Sequence, residues 1–151
     1  MYKTQNGFTL IELLISMAVL AVVVILLTSG FNSFRESAQL NEAHSAVLEI
    51  LRDARSRTLA SEKNTQYGVH FETNGFILFS GNIYDSGSSS NEIYNFPSLA
   101  RISSINFGGS VDVIFARLTG SASVSGTITL ESVSNLDKTK TITILSSGSI
   151  E

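Results

Sequence analysis

Residues 7–27 read GFTLIELLISMAVLAVVVILL, and this stretch decides the class of the chain. Among residues 8–27 only Glu12 carries a charge. At about 1.5 Å per residue, a helix of about 20 residues spans roughly 30 Å, the thickness of the hydrocarbon core of a bilayer. The sequence therefore predicts a membrane-spanning helix over residues 8–30, with its polar N terminus on the cytoplasmic side.

The rest of the chain has the composition of an ordinary, rather polar globular domain. The 151 residues include 10 Lys and Arg against 13 Asp and Glu, for a net charge of −3, and no Cys. Phosphate binding needs clustered positive charge, so a broad nucleic-acid surface is not expected. The lack of Cys excludes disulfides and Cys-ligated metals. The length predicts a single globular domain after the helix.

Glu12 is the residue that a generic export signal does not explain. A carboxylate within a membrane helix costs about 2.5–3.5 kcal/mol on insertion scales. One interpretation gives it no function, because it lies near the helix end and reaches headgroup water. The chain is then either a domain released by signal peptidase after Thr-Ser-Gly at residues 28–30 or a plain anchored protein.

A second interpretation takes Glu12 together with its neighbours. The run GFTLIEL at residues 7–13, after a short polar leader, resembles the type IV prepilin signature at every position. The resemblance implies cleavage after Gly7 by a prepilin peptidase, N-methylation of the new Phe8 amine and use of Glu12 in filament assembly. An unpaired carboxylate is strongly disfavoured among apolar helices. We therefore interpret Glu12 as pairing with the Phe8 amine of a neighbouring subunit and so setting axial register.

The helical pattern continues beyond residue 30 and then changes. An amphipathic stripe over residues 31–65 is predicted by apolar residues at three- and four-residue steps: Phe31, Phe34, Ala38, Val47, Ile50, Leu51, Ala54 and Thr58. Residues 66–151 alternate with a period of two, which predicts strands over residues 66–72, 75–80, 92–96, 102–107, 111–115, 127–131 and 139–145. Asn74-Gly75 predicts a hairpin between the first two strands.

These patterns define the expected fold and organisation. The fold class is α+β, with a long N-terminal helix packed on a largely antiparallel sheet. The expected parts are a cleaved leader at residues 1–7, a transmembrane or filament-core helix at residues 8–30 and an extracytoplasmic domain at residues 31–151.

Other segments resemble the GspH/FimT minor pseudopilin family. They are ARSRTLA at 54–60, VHF at 69–71, GTITL at 126–130 and ITI at 142–144, followed by Gly148. Members of that family are low-abundance subunits of type II secretion pseudopili or type IV pili. The resemblance implies a location in the inner membrane and then in the filament. It also implies three kinds of partner, namely prepilin peptidase, other pilin subunits and the inner-membrane assembly machinery. The ending GSIE lacks the arginine that often follows this glycine, and residues 81–101 have no counterpart.

Three arginines on the second half of the helix are the remaining candidates for a contact. Arg52, Arg55 and Arg57 lie among acidic residues that include Glu49 and Asp53. Local pairing on a solvated face is the favoured interpretation. Contact with a partner subunit or an acidic ligand is the alternative.

No catalytic, metal or cofactor site is predicted. The chain has two histidines, His44 and His70, and only Glu72 shares a predicted strand face with His70. No glycine-rich phosphate loop is present. Lys138 and Lys140 form at most a small basic patch, so nucleic acid is not an expected partner. The rival function is an extracytoplasmic binding domain, secreted or anchored, that does not polymerise; a DNA-uptake pilin is one form of it.

Overall fold

The computed structural model describes residues 7–151, except for the side chains of residues 26–30. The first six residues of the predicted leader lie outside the described residues. So do the side chains of residues 28–30, the alternative cleavage site. The chain divides into two compact units, one ending at Arg35 and the other formed by Glu36–Glu151.

Helix α1 covers Leu10–Leu59. Its buried stripe in the second unit consists of Leu40, Ala43, Val47, Ile50, Leu51, Ala54 and Thr58. Val47, Leu51 and Ala54 are fully buried, as the three- and four-residue spacing predicted. The predicted stripe was wrong at its start, because Phe31 and Phe34 are 63% and 69% exposed and Ala38 is also exposed. All three precede Leu40, the first buried residue of the described helix.

Helix α1 ends earlier than residue 65, where the sequence analysis placed its end. Ser61, Lys63 and Asn64 have positive φ angles of 52°, 51° and 58°, which are incompatible with a continuing helix. A short 3₁₀ turn, η1, covers Glu62–Asn64. Arg117 holds this turn by donating hydrogen bonds to the backbone carbonyl of Asn64 over 3.0 Å and to its Oδ1 over 2.6 Å.

Seven strands follow the helix: β1 Tyr67–Glu72, β2 Gly75–Ser80, β3 Glu92–Asn95, β4 Ala100–Asn106, β5 Asp112–Ile114, β6 Gly126–Ser132 and β7 Thr139–Ile144. All pairings are antiparallel. The α+β class is thus confirmed. The predicted hairpin is also confirmed, since Glu72 pairs with Gly75 across the Thr73-Asn74 turn.

The strands form two sheets, whereas the sequence analysis expected one. The first has the order β3-β2-β1-β5 and the second the order β4-β6-β7. The chain leaves the first sheet after β3 and enters the second at β4, and Pro97 lies in the connection between these two strands. The shared core contains Phe71 and Phe76 from the first sheet and Ile128 and Ile142 from the second.

Candidate functional site

Gly7 and Phe8, which precede α1, are accessible. Among the described residues, no heavy atom beyond its chain neighbours lies within 4 Å of the position that a Cβ would occupy on Gly7. The side chain of Phe8 is 76% exposed. Both residues precede Leu10, where the helix begins. The Gly7–Phe8 bond therefore lies in exposed, non-helical backbone, the kind of chain that peptidases cut.

Thr9 caps the first turn of the helix, and Glu12 lies in that turn. The backbone N–H of Glu12 donates to Thr9 Oγ1 over 3.3 Å, and that of Leu13 donates to the Thr9 carbonyl over 3.2 Å. Thr-x-x-Glu is the spacing of a capping box. An acid in the first turn also gains about 0.3–1 kcal/mol from the positive end of the helix dipole. This local role of Glu12 was not predicted, although the spacing is visible in the sequence.

Glu12 contributes only its backbone N–H to the cap. Its carbonyl accepts a hydrogen bond from Ser16 Oγ over 2.7 Å. Its side chain is exposed, and none of the residues described in the structure forms an ion pair with it. The carboxylate is therefore open to a cation from outside this chain.

The apolar residues that follow Glu12 are also exposed. Every Val, Leu, Ile, Met and Phe side chain from Phe8 to Ile25 is at least 47% exposed. A continuous apolar surface of this kind marks a site that meets apolar surroundings, from a protein or a lipid. Within the described part of the chain, no helix meets both the length and the hydropathy of a membrane span.

The decisive comparison concerns this same segment. Residues 2–28 match the prokaryotic N-terminal methylation motif. The chain is therefore prepilin-like at its N terminus, as the sequence analysis predicted from residues 7–13. No curated protein matched the chain, and no solved structure did.

The three arginines of this prepilin-like chain do not form one cluster. Arg55 Nε donates to the Gly120 carbonyl over 3.0 Å. Arg52 and Arg55 line a cavity of about 390 Å³ next to Gly148. Arg57 lines a different groove, with Asp53. The spacing of these arginines along the helix therefore did not indicate that Arg57 lies apart from Arg52 and Arg55.

Arg57 is engaged in ion pairs on both sides. Its guanidinium contacts Glu92 Oε1 at 2.5 Å and Asp53 Oδ2 at 2.7 Å. The hydrogen bond to Glu92, followed by the influence of Asp53, raises the pKa of Arg57 above its ordinary value. The same bond lowers the pKa of the Glu92 carboxyl. The pairing with Asp53 was predicted, whereas Glu92 lies 35 residues away in the chain and was not.

His70 lies in a small polar cluster on the first sheet. Its Nδ1 contacts Asp112 Oδ1 at 2.5 Å, and its Nε2 lies 3.9 Å from Glu72 Oε1. The ring of Tyr84 stacks on the imidazole with centroids 3.9 Å apart. The part of the chain that the structure describes holds no group of three metal-ligating side chains. We therefore interpret the cluster as packing that holds the loop at residues 81–91 on the sheet.

His44 predicts a pH dependence of stability. Burial, and next to it the charge of Lys140, lower the pKa of His44 below 6.5, against a smaller opposing effect of the Thr141 backbone. Protonation then favours the unfolded chain, so His44 costs no stability above about pH 6.5 and a growing amount as the pH falls toward its folded pKa. The free energy of unfolding should be lower at pH 5.5 than at pH 7.5.

The matched variant for this effect is His44→Gln, which keeps a polar side chain but does not titrate. Urea unfolding of the full chain at the two pH values should show a smaller difference for the variant than for wild type. An equal difference would assign the pH dependence to other groups.

Proposed function

We propose that this chain is a minor pilin or pseudopilin, a non-enzymatic structural subunit of a type II secretion pseudopilus or a type IV pilus. One observation carries the proposal. The methylation motif covers residues 2–28 and so extends to both sides of the Gly7–Phe8 bond. In this proposal prepilin peptidase cuts after Gly7, and the new amine of Phe8 is methylated.

After cleavage, the N-terminal helix lies in two environments in turn. Residues 8–30 lie first in the inner membrane, with the N terminus cytoplasmic and residues 31–151 outside, and later in the core of a filament. The exposed apolar side chains of residues 8–25 support this proposal, because both environments are apolar. Little hydrophobic free energy changes on transfer, so packing and polar contacts decide the outcome. The assembly machinery of the inner membrane would extract the helix.

Glu12 supplies the polar contact in this proposal. Its carboxylate has no ion-pair partner among the described residues, and the Phe8 amine becomes a cation after cleavage. A pair between the amine of one subunit and the carboxylate of the next holds one axial offset between the two helices. Pairs of this kind add specificity more than net stability, because both charges lose hydration.

The segments at residues 54–60 and 126–130 support the narrower assignment to the GspH/FimT minor pseudopilins. In the structure they lie at the end of α1 and along β6. The narrower proposal rests on resemblance of sequence.

The intact mass of the purified protein tests the proposal. A processed pilin-like chain begins at Phe8 and carries one additional methyl group, and this is the result we expect. A chain that begins near Phe31 would instead identify a secreted binding domain released by signal peptidase. A chain that retains Met1 or Tyr2 would identify a plain anchored protein. Either of these masses would overturn the proposal.

A further inference from the structure

A groove lies between α1 and the edge strand β3. It has a volume of about 460 Å³ and is lined by Ala46, Glu49, Ile50, Asp53, Arg57 and Tyr94. Ile50 is buried and Ala46 partly buried, so the floor is apolar. Tyr94 presents part of its ring, with 36% of the residue exposed. The groove thus combines an apolar floor with a charged rim.

The rim has an excess of negative charge. Glu49, Asp53 and Glu92 lie on it, and Arg57 is the cation between Asp53 and Glu92. The adjacent Glu-Lys pair at residues 62–63 adds one charge of each sign. The rim therefore has two more acids than cations, and Glu49 is exposed to solvent. A cationic partner is complementary to such a surface.

Beside the groove, β3 offers an unpaired backbone edge. Phe96 N–H donates to the Asn74 carbonyl of the β1–β2 turn over 2.9 Å, and Tyr94 stands in register with β2. Backbone groups alternate sides along a strand. The N–H and C=O groups of Ile93 and Asn95 therefore point away from the sheet, where no described strand lies beside them. The Ile93 side chain is also 68% exposed.

The other outer strands are each covered in part by their own chain. Ile114 of β5 accepts a hydrogen bond from Ser123 N–H over 2.8 Å. Ile102 of β4 donates to the Thr73 carbonyl over 2.9 Å, and Thr143 of β7 exchanges two hydrogen bonds with Glu151. In the described residues, no such bond occupies the outward backbone groups of Ile93 and Asn95 on β3. An exposed strand edge pairs readily with an extended segment.

A second copy of this chain fits the β3 edge poorly. Symmetric pairing of β3 with itself would bring the acidic rims of two copies together, and like charges at a contact are disfavoured. A different segment of a second copy would have to bring cations. Three of the four cations after residue 66 already bind within their own chain: Arg101 to Glu131, Arg117 to Asn64 and Lys138 to Glu36.

We propose that this surface docks an extended segment of another protein that carries lysine or arginine. The segment adds a strand to β3 through the outward backbone groups of Ile93 and Asn95. Its cationic side chains meet Glu49 and the neighbouring carboxylates, and its aliphatic parts lie over Ile50 and Tyr94. This contact does not depend on cleavage of the leader, so it can be tested independently of the proposed filament role.

Peptide binding to the full chain in a neutral detergent tests the proposal. The probe is a labelled ten-residue peptide of alternating lysine and threonine. Two controls have the same length: one replaces lysine by glutamate, and the other replaces threonine by proline, which removes donors for strand pairing. Fluorescence anisotropy should show the first peptide binding at least about tenfold more tightly than either control, and more weakly as salt rises.

Two variants of the protein locate the contact. Ile93→Pro removes an N–H that β2 does not use, so the sheet should persist while peptide affinity falls about tenfold. Glu49→Gln should weaken binding about threefold. Glu42→Gln is its matched control, because Glu42 is an exposed acid on the same helix outside the groove. If Ile93→Pro does not fold, the comparison of Glu49→Gln with Glu42→Gln tests the proposal by itself.

Three results would overturn the proposal. The first is equal affinity for the lysine and glutamate peptides. The second is equal loss of affinity in the Glu49 and Glu42 variants. The third is self-association of the wild type in sedimentation that Ile93→Pro abolishes, which would assign the edge to a second copy.

Discussion

Replacing Glu12 by alanine is expected to leave processing intact and to remove the protein from assembled filaments. In the proposed mechanism, cleavage depends on the residues at the Gly7–Phe8 bond, whereas assembly depends on the Glu12 carboxylate. Removing one member of a buried ion pair costs about 3–5 kcal/mol, because the other charge stays buried without a partner. At about 1.4 kcal/mol per tenfold, incorporation should fall by more than about 100-fold. The amount of methylated mature chain in a sheared-filament fraction, relative to the membrane fraction, measures this.

The cap that the Thr9 hydroxyl forms on the Glu12 N–H calls for two further variants. Glu12→Gln keeps a capping-box residue but removes the charge. Thr9→Ala keeps the charge but removes the hydroxyl that accepts the Glu12 N–H. If the charge sets the register, the glutamine variant fails to assemble and the Thr9 variant assembles. The reverse pattern would show that helix capping is the essential role.

Gly7→Val serves as the processing control in the same experiment. Its bulky side chain stands at the cleaved bond, so the leader should remain attached and the mature chain should be absent. An assembled, unprocessed Gly7 variant would contradict the assembly mechanism, because no free Phe8 amine would exist to pair with Glu12.

The second large effect is expected at Gly148. This residue has φ of +80°, and a Cβ on it would lie 1.9 Å from the Gly120 carbonyl oxygen and 2.9 Å from Arg55 Nε. Gly148→Ala therefore combines the cost of a left-handed L-residue, about 1–2 kcal/mol, with a collision that displaces backbone, about 1–3 kcal/mol. It should also lengthen the hydrogen bond from Arg55 to Gly120. We expect a loss of about 2–5 kcal/mol in the free energy of unfolding.

Gly109→Ala is the matched control for this prediction. Its φ is +101°, but nothing lies within 4 Å of the added Cβ. Its free energy of unfolding should therefore fall only by the conformational cost of about 1–2 kcal/mol. Urea unfolding of the full chain in detergent, followed by tyrosine fluorescence, compares the two midpoints. Equal midpoints would mean that the contact between residues 148 and 120 relaxes without cost.

Local patterns predicted much of the secondary structure. The buried stripe at Val47, Leu51 and Ala54 follows from helical spacing, because each of these residues must face the same side. The β1–β2 hairpin was predicted from Asn74-Gly75, but its two turn residues are Thr73 and Asn74, because Gly75 already pairs with Glu72. Strands β6 and β7 were predicted from their alternating Ile and Thr residues. In the structure, Ile128 and Ile142 are fully buried in the core.

Other features depend on residues that are distant in the chain. The helix was predicted to continue to residue 65, and its end at Leu59 is associated with a turn that Arg117 holds from 53 residues away. Asp112 meets His70 across 42 residues. No spacing rule connects such pairs, since only the folded arrangement of strands brings them together. The cap by Thr9 was a different kind of omission, because its signal was local.

The sequence by itself determined the N-terminal segment of this protein. The methylation motif, the apolar length and the one acid within it are all contiguous there, so local chemistry is sufficient to define them. Tertiary structure alone decided the division into two sheets, the separation of Arg57 from Arg52 and Arg55, and the open edge of β3. These features arise from the order in which strands pair, and that order is set by the summed packing of the whole core rather than by any short segment.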